Sequence, residues 1–212
     1  QTVLYFPGSG QMCPAYCTFC FRWAQFIDRP ELRFASQSIE DLIAYVRTNP
    51  QISDILITGA DPLIMSANKL AAIINPILEA KLPNLQRIRI GSKILTYWPF
   101  RFLTARDSKE LLSLFKKVIN SGLHLALMTH FNHPNEYESP FVQDALQRVL
   151  ETGTQIRNQS PILRHINDNP DVWQRLLDIQ VNLVCIPYYM FVPRNTGANH
   201  YFNIPLERAW QI

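Results

Sequence analysis

Short runs of β-branched and other apolar residues alternate with amphipathic stretches along the 212-residue chain. The runs predict strands at Thr2–Phe6, Ile52–Thr58, Gln86–Ile90, His124–Thr129, Gln155–Ser160 and Asn182–Tyr188. The stretches between them have helical periodicity. In the first, Ile39, Leu42, Ile43 and Val46 recur at i, i+3, i+4 and i+7, with Ser38 and Asp41 as a cap and Asn49-Pro50 as a stop. The third helix is predicted to start at Asp107, with Glu110 completing a capping box, to present Leu111, Phe115, Val118 and Ile119, and to stop at Gly122. The fourth opens at Ser139-Pro140 and closes before Gly153. The fifth opens at Asn169-Pro170, with proline in the tolerated first turn. Strands alternating with helices argue for parallel βαβ units. Right-handed crossovers then leave two architectures, a doubly wound sheet or a barrel, and periodicity does not choose between them. No composition break, flexible linker or repeat divides the chain, so residues 1–212 read as one α/β domain.

Composition narrows the class. Apolar residues make up 47% of the chain, enough for a sizeable core and too many for disorder. Charged residues are only 17%, below the roughly 25% of an ordinary soluble domain. Mean hydropathy is −0.06, and no run of about 18 apolar residues offers a membrane span. A net charge of +3, scattered along the chain, is too weak to argue for nucleic acid. The start, Gln1 to Phe6, lacks the charged segment of a signal peptide. Both ends read as cuts into a longer polypeptide.

The cysteines change the picture most. Of four, Cys13, Cys17 and Cys20 crowd into eight positions, while Cys185 lies far away in an apolar run and reads as core packing. A secreted disulfide framework would spread and pair its cysteines, so this pattern suggests a metal-binding loop in a reducing, cytoplasmic setting. The loop follows the first predicted strand, where parallel α/β folds present ligand-binding loops. Three thiolates at spacings of four and three can hold three irons of a [4Fe–4S] cube and leave the fourth to an external ligand. A zinc site would need a fourth ligand nearby, and none follows at finger-like spacing. The plain alternative is three unpaired buried thiols.

This spacing is identified as the signature of the radical-SAM enzymes. The resemblance implies that the open iron is chelated by S-adenosylmethionine (SAM) and that Phe19, before the last cysteine, lies beside the adenine; packing alone would explain a Phe as well. The remaining motifs are similar to those of one branch, the lysine 2,3-aminomutase family. Cys20-Phe21-Arg22 resembles its stretch in which an Arg holds the substrate α-carboxylate, a contact suited to a guanidinium fork. Thr58-Gly59-Ala60-Asp61-Pro62 resembles the motif whose backbone and acid receive the SAM amino group, with Ala60 in place of the usual Gly. Lys93, after Arg89-Ile90-Gly91-Ser92, stands where the family commonly has Arg. Thr129 to Glu136 matches the fourth strand end, which implies that His130 and Asn132 face the SAM ribose or carboxylate. The resemblance likewise implies that Gln159 hydrogen-bonds SAM and that Asp168 meets a substrate amine. Asp168 is equally well an acid at a helix N-terminus.

The resemblance implies a partial (β/α)6 barrel of the radical-SAM type, with the [4Fe–4S] cluster and SAM at the C-terminal ends of the strands. It implies reductive cleavage of SAM to a 5′-deoxyadenosyl radical, fed by a reductant such as flavodoxin or ferredoxin. A pyridoxal-phosphate-assisted 1,2-amino shift on a small amino acid would follow. The family's pyridoxal-binding lysine is expected downstream of these residues. Lysine-handling members carry an acid shortly after the Pro187-Tyr188-Tyr189 strand, where this chain has Arg194, so free lysine is not the expected substrate. Two other readings are a protein-lysine aminomutase of the same branch and a pyridoxal-independent or inactive iron–sulfur homologue that serves as a binding module. Association with a second copy is a further expectation.

Overall fold

The computed structural model describes residues 1–23, 31, 35–36, 38–193 and 198–212. In chain order the first half contains β1 (Thr2–Tyr5), α1 (Ile39–Thr48), β2 (Asp54–Ile57), α2 (Ala67–Glu79), β3 (Arg87–Gly91), α3 (Ile94–Tyr97), α4 (Phe100–Leu103) and α5 (Ser108–Asn120). The second half contains β4 (His124–Thr129), α6 (Pro140–Leu150), β5 (Gln155–Pro161), α7 (Pro170–Asn182), β6 (Ile186–Phe191), α8 (Asn199–Phe202) and α9 (Leu206–Gln211).

The six strands form one sheet in the order β1-β2-β3-β4-β5-β6, every pair parallel. This order settles the choice that periodicity leaves open. A doubly wound sheet reverses its strand order at a switch point; an unbroken order with right-handed crossovers keeps every helix on one face. The helical face is the convex one. Ile55, Ile57, Ile88, Ile90, Leu125, Leu127 and Ile156 point into it and join Leu70, Ile74, Phe115, Val118 and Leu146 in one core. Alternate residues of the same strands line the concave face. The result is the expected partial (β/α)6 barrel.

Local chemistry explains the helix ends. The Ser38 hydroxyl accepts the Asp41 N–H at 3.2 Å, and Leu42 and Val46 turn inward with Ile39 and Ile43 beside them. Asn169 caps α7 through the Asp171 N–H at 2.8 Å. Asp107 behaves differently from its predicted capping role. It occupies the N-cap position of α5 but makes no side-chain cap. Its carboxylate instead takes two hydrogen bonds from buried Arg101, at 2.6 and 3.1 Å, and one from the Ala67 N–H at 2.6 Å. A guanidinium fork is the stronger partner, so the side chain ties α4 to the start of α2 rather than closing a capping box.

The sixth strand is also displaced from its predicted span. Residues 181–182 end α7, Val184 takes a left-handed backbone (φ 58°), and the strand starts only at Ile186. Cys185 therefore precedes the strand instead of lying in it, and is buried in the core as expected. Between Asn158 and Gln159 the β5–β6 register shifts, leaving Tyr188 as an extra residue.

Candidate active site

The loop after β1 lies across the C-terminal ends of the neighbouring strands. A 3₁₀ turn at Gly8–Gly10 leads into Gln11 and Met12, and the Met12 carbonyl accepts the Asp61 N–H at 3.1 Å. This bond ties the cysteine loop to the end of β2. Gly59 allows the approach: its φ is +131°, and a Cβ there would lie 2.3 Å from the Gln11 amide nitrogen. Ala60 needs no such freedom, because its backbone is not left-handed. Replacement of glycine by alanine is therefore compatible with this turn.

Asp61 is placed differently from the ligand-facing acid of the sequence reading. It is buried, and each oxygen already accepts two hydrogen bonds. Oδ1 takes the Leu63 N–H (3.2 Å) and the Ser92 hydroxyl (2.6 Å); Oδ2 takes the Lys93 N–H (2.9 Å) and the Tyr97 hydroxyl (3.0 Å). Burial raises its pKa while these four donors oppose the rise. With its lone pairs filled from within, the carboxylate locks the ends of β2 and β3 together.

All three loop thiols are free and half-buried. Burial pushes Cys13 up to about 11, with Asp61, Cys17 and Cys20 adding to the rise. Burial also raises Cys17, which feels Lys93 and Glu136, and Cys20, which feels Arg22. These influences place Cys13 near Asp61, and Cys17 near the Lys93–Glu136 ion pair (2.8 Å). Among the described residues, no three Cys, His, Asp or Glu side chains converge as ligands of one metal. The loop closes on its own backbone bonds, such as Cys20 N–H to the Cys17 carbonyl at 2.9 Å. The donor set still fits an iron–sulfur cluster: three unpaired thiols on one loop, with no fourth cysteine beside them.

Phe19 and His130 meet with ring centroids 5.9 Å apart, Phe202 packs edge-on against Phe19, and Phe191 lies 6.4 Å beyond His130. Burial, aided by Lys93, holds His130 down to about 3, so it stays neutral. Its carbonyl accepts the Lys93 ammonium at 2.8 Å. Asn132 is buried with its side-chain oxygen unpartnered, while its carbonyl holds the Asn167 amide at 2.8 Å. Glu136 closes the turn by accepting the Asn132 and His133 N–H groups. Gln159 stands on the concave side and accepts the Tyr189 hydroxyl at 2.6 Å.

The expected substrate residues are more scattered. The Arg22 guanidinium lies 4.6 Å over the Phe6 ring, and burial lowers its pKa. Asp168 precedes the Asn169 cap, and its carbonyl accepts Arg208 at 2.7 Å. Arg194 lies outside the described residues. Sequence reasoning missed Gln11, Tyr97, Glu136 and Asn167, which position the site's loops. Only Glu136, three residues after His133, carried a signal, the spacing of a capping box.

Comparison with solved structures places this geometry in a class. Streptococcus suis SuiB superposes with a TM-score of 0.60 at 12% identity, over 96% of this chain and 41% of that one. A radical SAM methyltransferase from Sphaerobacter thermophilus gives 0.52 at 16%, over 82% and 51%. The fold is that of a radical-SAM core. No family model matches the chain. A putative L-lysine 2,3-aminomutase of Aquifex aeolicus is 38% identical over 200 residues, 93% of this chain and 51% of that protein. The L-lysine 2,3-aminomutase of Clostridium subterminale is 32% identical over 95% and 45%, and a glutamate 2,3-aminomutase of Clostridioides difficile is 28% identical over 94% and 44%. Over these residues the chain is similar to lysine and glutamate 2,3-aminomutases. It spans about half the length of the curated relatives it matches.

Proposed function

We propose that the full-length protein is a radical-SAM aminomutase, and that these residues form its SAM-cleaving core. One observation carries the proposal: a loop with three free thiols lies over the Gly59–Asp61 turn at the C-terminal mouth of a partial barrel. Cys13, Cys17 and Cys20 would hold three irons of a [4Fe–4S] cluster. When bound, the cluster and SAM supply a 5′-deoxyadenosyl radical by one-electron cleavage of the sulfonium, and pyridoxal phosphate supplies stabilisation of the migrating nitrogen. A small iron–sulfur or flavin protein is the proposed reductant.

The chain's own residues orient and shield. Phe19 and His130 form an apolar wall suited to the adenine, and neutral His130 adds no charge beside a sulfonium. The Asn132 side-chain oxygen, buried and without a donor, would accept a hydrogen bond from SAM. Ala60 offers its backbone, Gln159 stands at the lip, and Asp61 acts as a positioning residue. Arg22 would hold the substrate α-carboxylate and Asp168 the amine. At Arg194 the sequence has a guanidinium where lysine-handling members have an acid, so free lysine is not the proposed preferred substrate. No helix among the described residues is long and apolar enough to cross a membrane, and we propose a cytoplasmic location.

The test is to reconstitute the full-length protein anaerobically and measure 5′-deoxyadenosine and amino-shift products from lysine, glutamate, glutamine and aromatic amino acids. The proposal expects both products, with lysine not the best substrate. Intact SAM after reduction would contradict the reaction, and lysine with the highest kcat/KM would contradict the reading of Arg194.

A further inference from the structure

Alternate residues of the strands point into the concave face. The charged ones on β2, β3 and β5 are Asp54, Arg87, Arg89 and Arg157. Three cations thus share this face with one carboxylate. Arg89 and Asp54 neutralise each other through a fork, with Nε at 3.1 Å and Nη2 at 2.8 Å from the two oxygens, and the Thr2 hydroxyl accepts from the same Nη2 at 3.0 Å.

Arg157 has no such partner. Its Nη2 donates to the Gln155 side-chain oxygen at 2.8 Å, and its guanidinium lies 5.8 Å from the Tyr188 ring centroid. Tyr188 is the bulge residue of β6, so the irregularity in the register sets the ring against this cation. The Arg157 Nε is buried and has no acceptor. Among the described residues no carboxylate pairs with it. The guanidinium is therefore oriented by neutral groups, with donor capacity left unfilled and a positive charge left unbalanced. The rest of the side chain is partly exposed, so the unfilled Nε donor is the part that costs free energy until an acceptor meets it. Arg157 sits two residues below Gln159 on the same face, about 6–7 Å along the strand at the usual rise. That is within reach of a small molecule held at the mouth.

We propose that Arg157 is a specificity residue that receives an anionic side chain of the substrate, so that the preferred substrate is an amino acid with a carboxylate in its side chain. The inference rests on the aminomutase reading, because that reading places an amino acid over the concave face. A carboxylate would complete the fork, whereas a lysine ammonium would meet a like charge.

The experiment is calorimetric binding of L-glutamate, L-glutamine and L-lysine to the reconstituted full-length protein, wild type, Arg157→Gln and Arg157→Lys, with SAM cleavage measured alongside. Glutamate should bind tightest. Arg157→Gln should weaken it about 10- to 100-fold, the usual worth of a charge-assisted hydrogen bond, while glutamine changes less than about threefold. Arg157→Lys should recover part of the loss. Wild-type preference for lysine, or a glutamate-to-glutamine ratio unchanged by Arg157→Gln, would overturn the assignment. Should Arg157→Gln fail to fold, the wild-type order and the Lys variant still decide. Tight glutamate binding without SAM cleavage would support the anion site and refute the reaction; SAM cleavage with lysine bound best would do the reverse.

Discussion

The two faces of the same strands obey different rules. On β3, Ile88 and Ile90 point outward and are fully buried under α2 and α5, while Arg87 and Arg89 point inward and keep part of their surface exposed. On β5, Ile156 is outward and buried, and Arg157 and Gln159 are inward and partly exposed. The convex face carries the hydrophobic free energy of folding. The concave face contributes little to that core, so its residues are free to carry charge and polarity. β6 shows the limit of the division. As the outermost strand it leaves Ile186, Tyr188, Tyr189 and Met190 each about half exposed.

The contrast is sharpest where polar groups are buried on the helical side. Arg101 is buried, donating to the Leu63 and Met65 carbonyls as well as to Asp107. Arg101→Met should lower unfolding free energy by about 3–5 kcal/mol, since removing one partner strands the other and two carbonyls. Acid should act on the same link. Asp107 has a folded pKa below its ordinary value: burial alone would raise it, but the Ala67 N–H and Arg101 outweigh that. Its contribution is complete above the ordinary carboxylate pKa near 4 and is lost as pH falls through the lower folded value. Chemical unfolding from pH 7 to 2 should show that decline in the wild type and a shallower one in the variant.

An apolar change on the convex face comes next. Ile88→Ala should cost about 2–5 kcal/mol by urea unfolding. A loss under 1 kcal/mol would mean that the outward set is not the core. Asp61→Asn should be milder for the fold, about 1–3 kcal/mol, because one amide oxygen replaces two carboxylate oxygens before four donors. It should also weaken SAM binding through the displaced Gly59–Ala60 turn, and the Asp61→Glu variant should not restore it. On the concave face Leu4, half exposed, should tolerate serine within about 0.5 kcal/mol. Smallest of all is a reactivity difference. Burial raises all four thiols, but Cys185 is buried while the loop thiols are partly exposed, so alkylation of the cluster-free protein at pH 8 should label the loop thiols faster than Cys185.

The same division decides what could be read from the sequence. The outward faces announced themselves, because Ile55, Ile57, Ile88 and Ile90 lie in short apolar runs between turn residues and helical patterns. Strand order did not, since it depends on which units pair. The start of β6 was misplaced because the chain turns at Val184 through a left-handed backbone normally signalled by glycine or asparagine. The three loop cysteines stand out in the sequence by spacing alone. The four donors that fill Asp61 were not, because Ser92 and Tyr97 reach it across about thirty residues or more, and neither has a local signature. Arg157 was equally silent: its setting depends on register, on the Tyr188 bulge and on there being no paired carboxylate among the described residues.

The central claim is that the exposed end of the concave face is a cluster and SAM site built on the cysteine loop. Its most direct test is iron content, visible absorption and 5′-deoxyadenosine formation in anaerobically reconstituted full-length protein, wild type against Cys17→Ala. The wild type should carry about four irons per chain and cleave SAM on reduction; the variant should lose chromophore and cleavage together while keeping its folded circular dichroism. A Cys17→Ala protein that still holds about four irons with an unchanged spectrum would contradict the account.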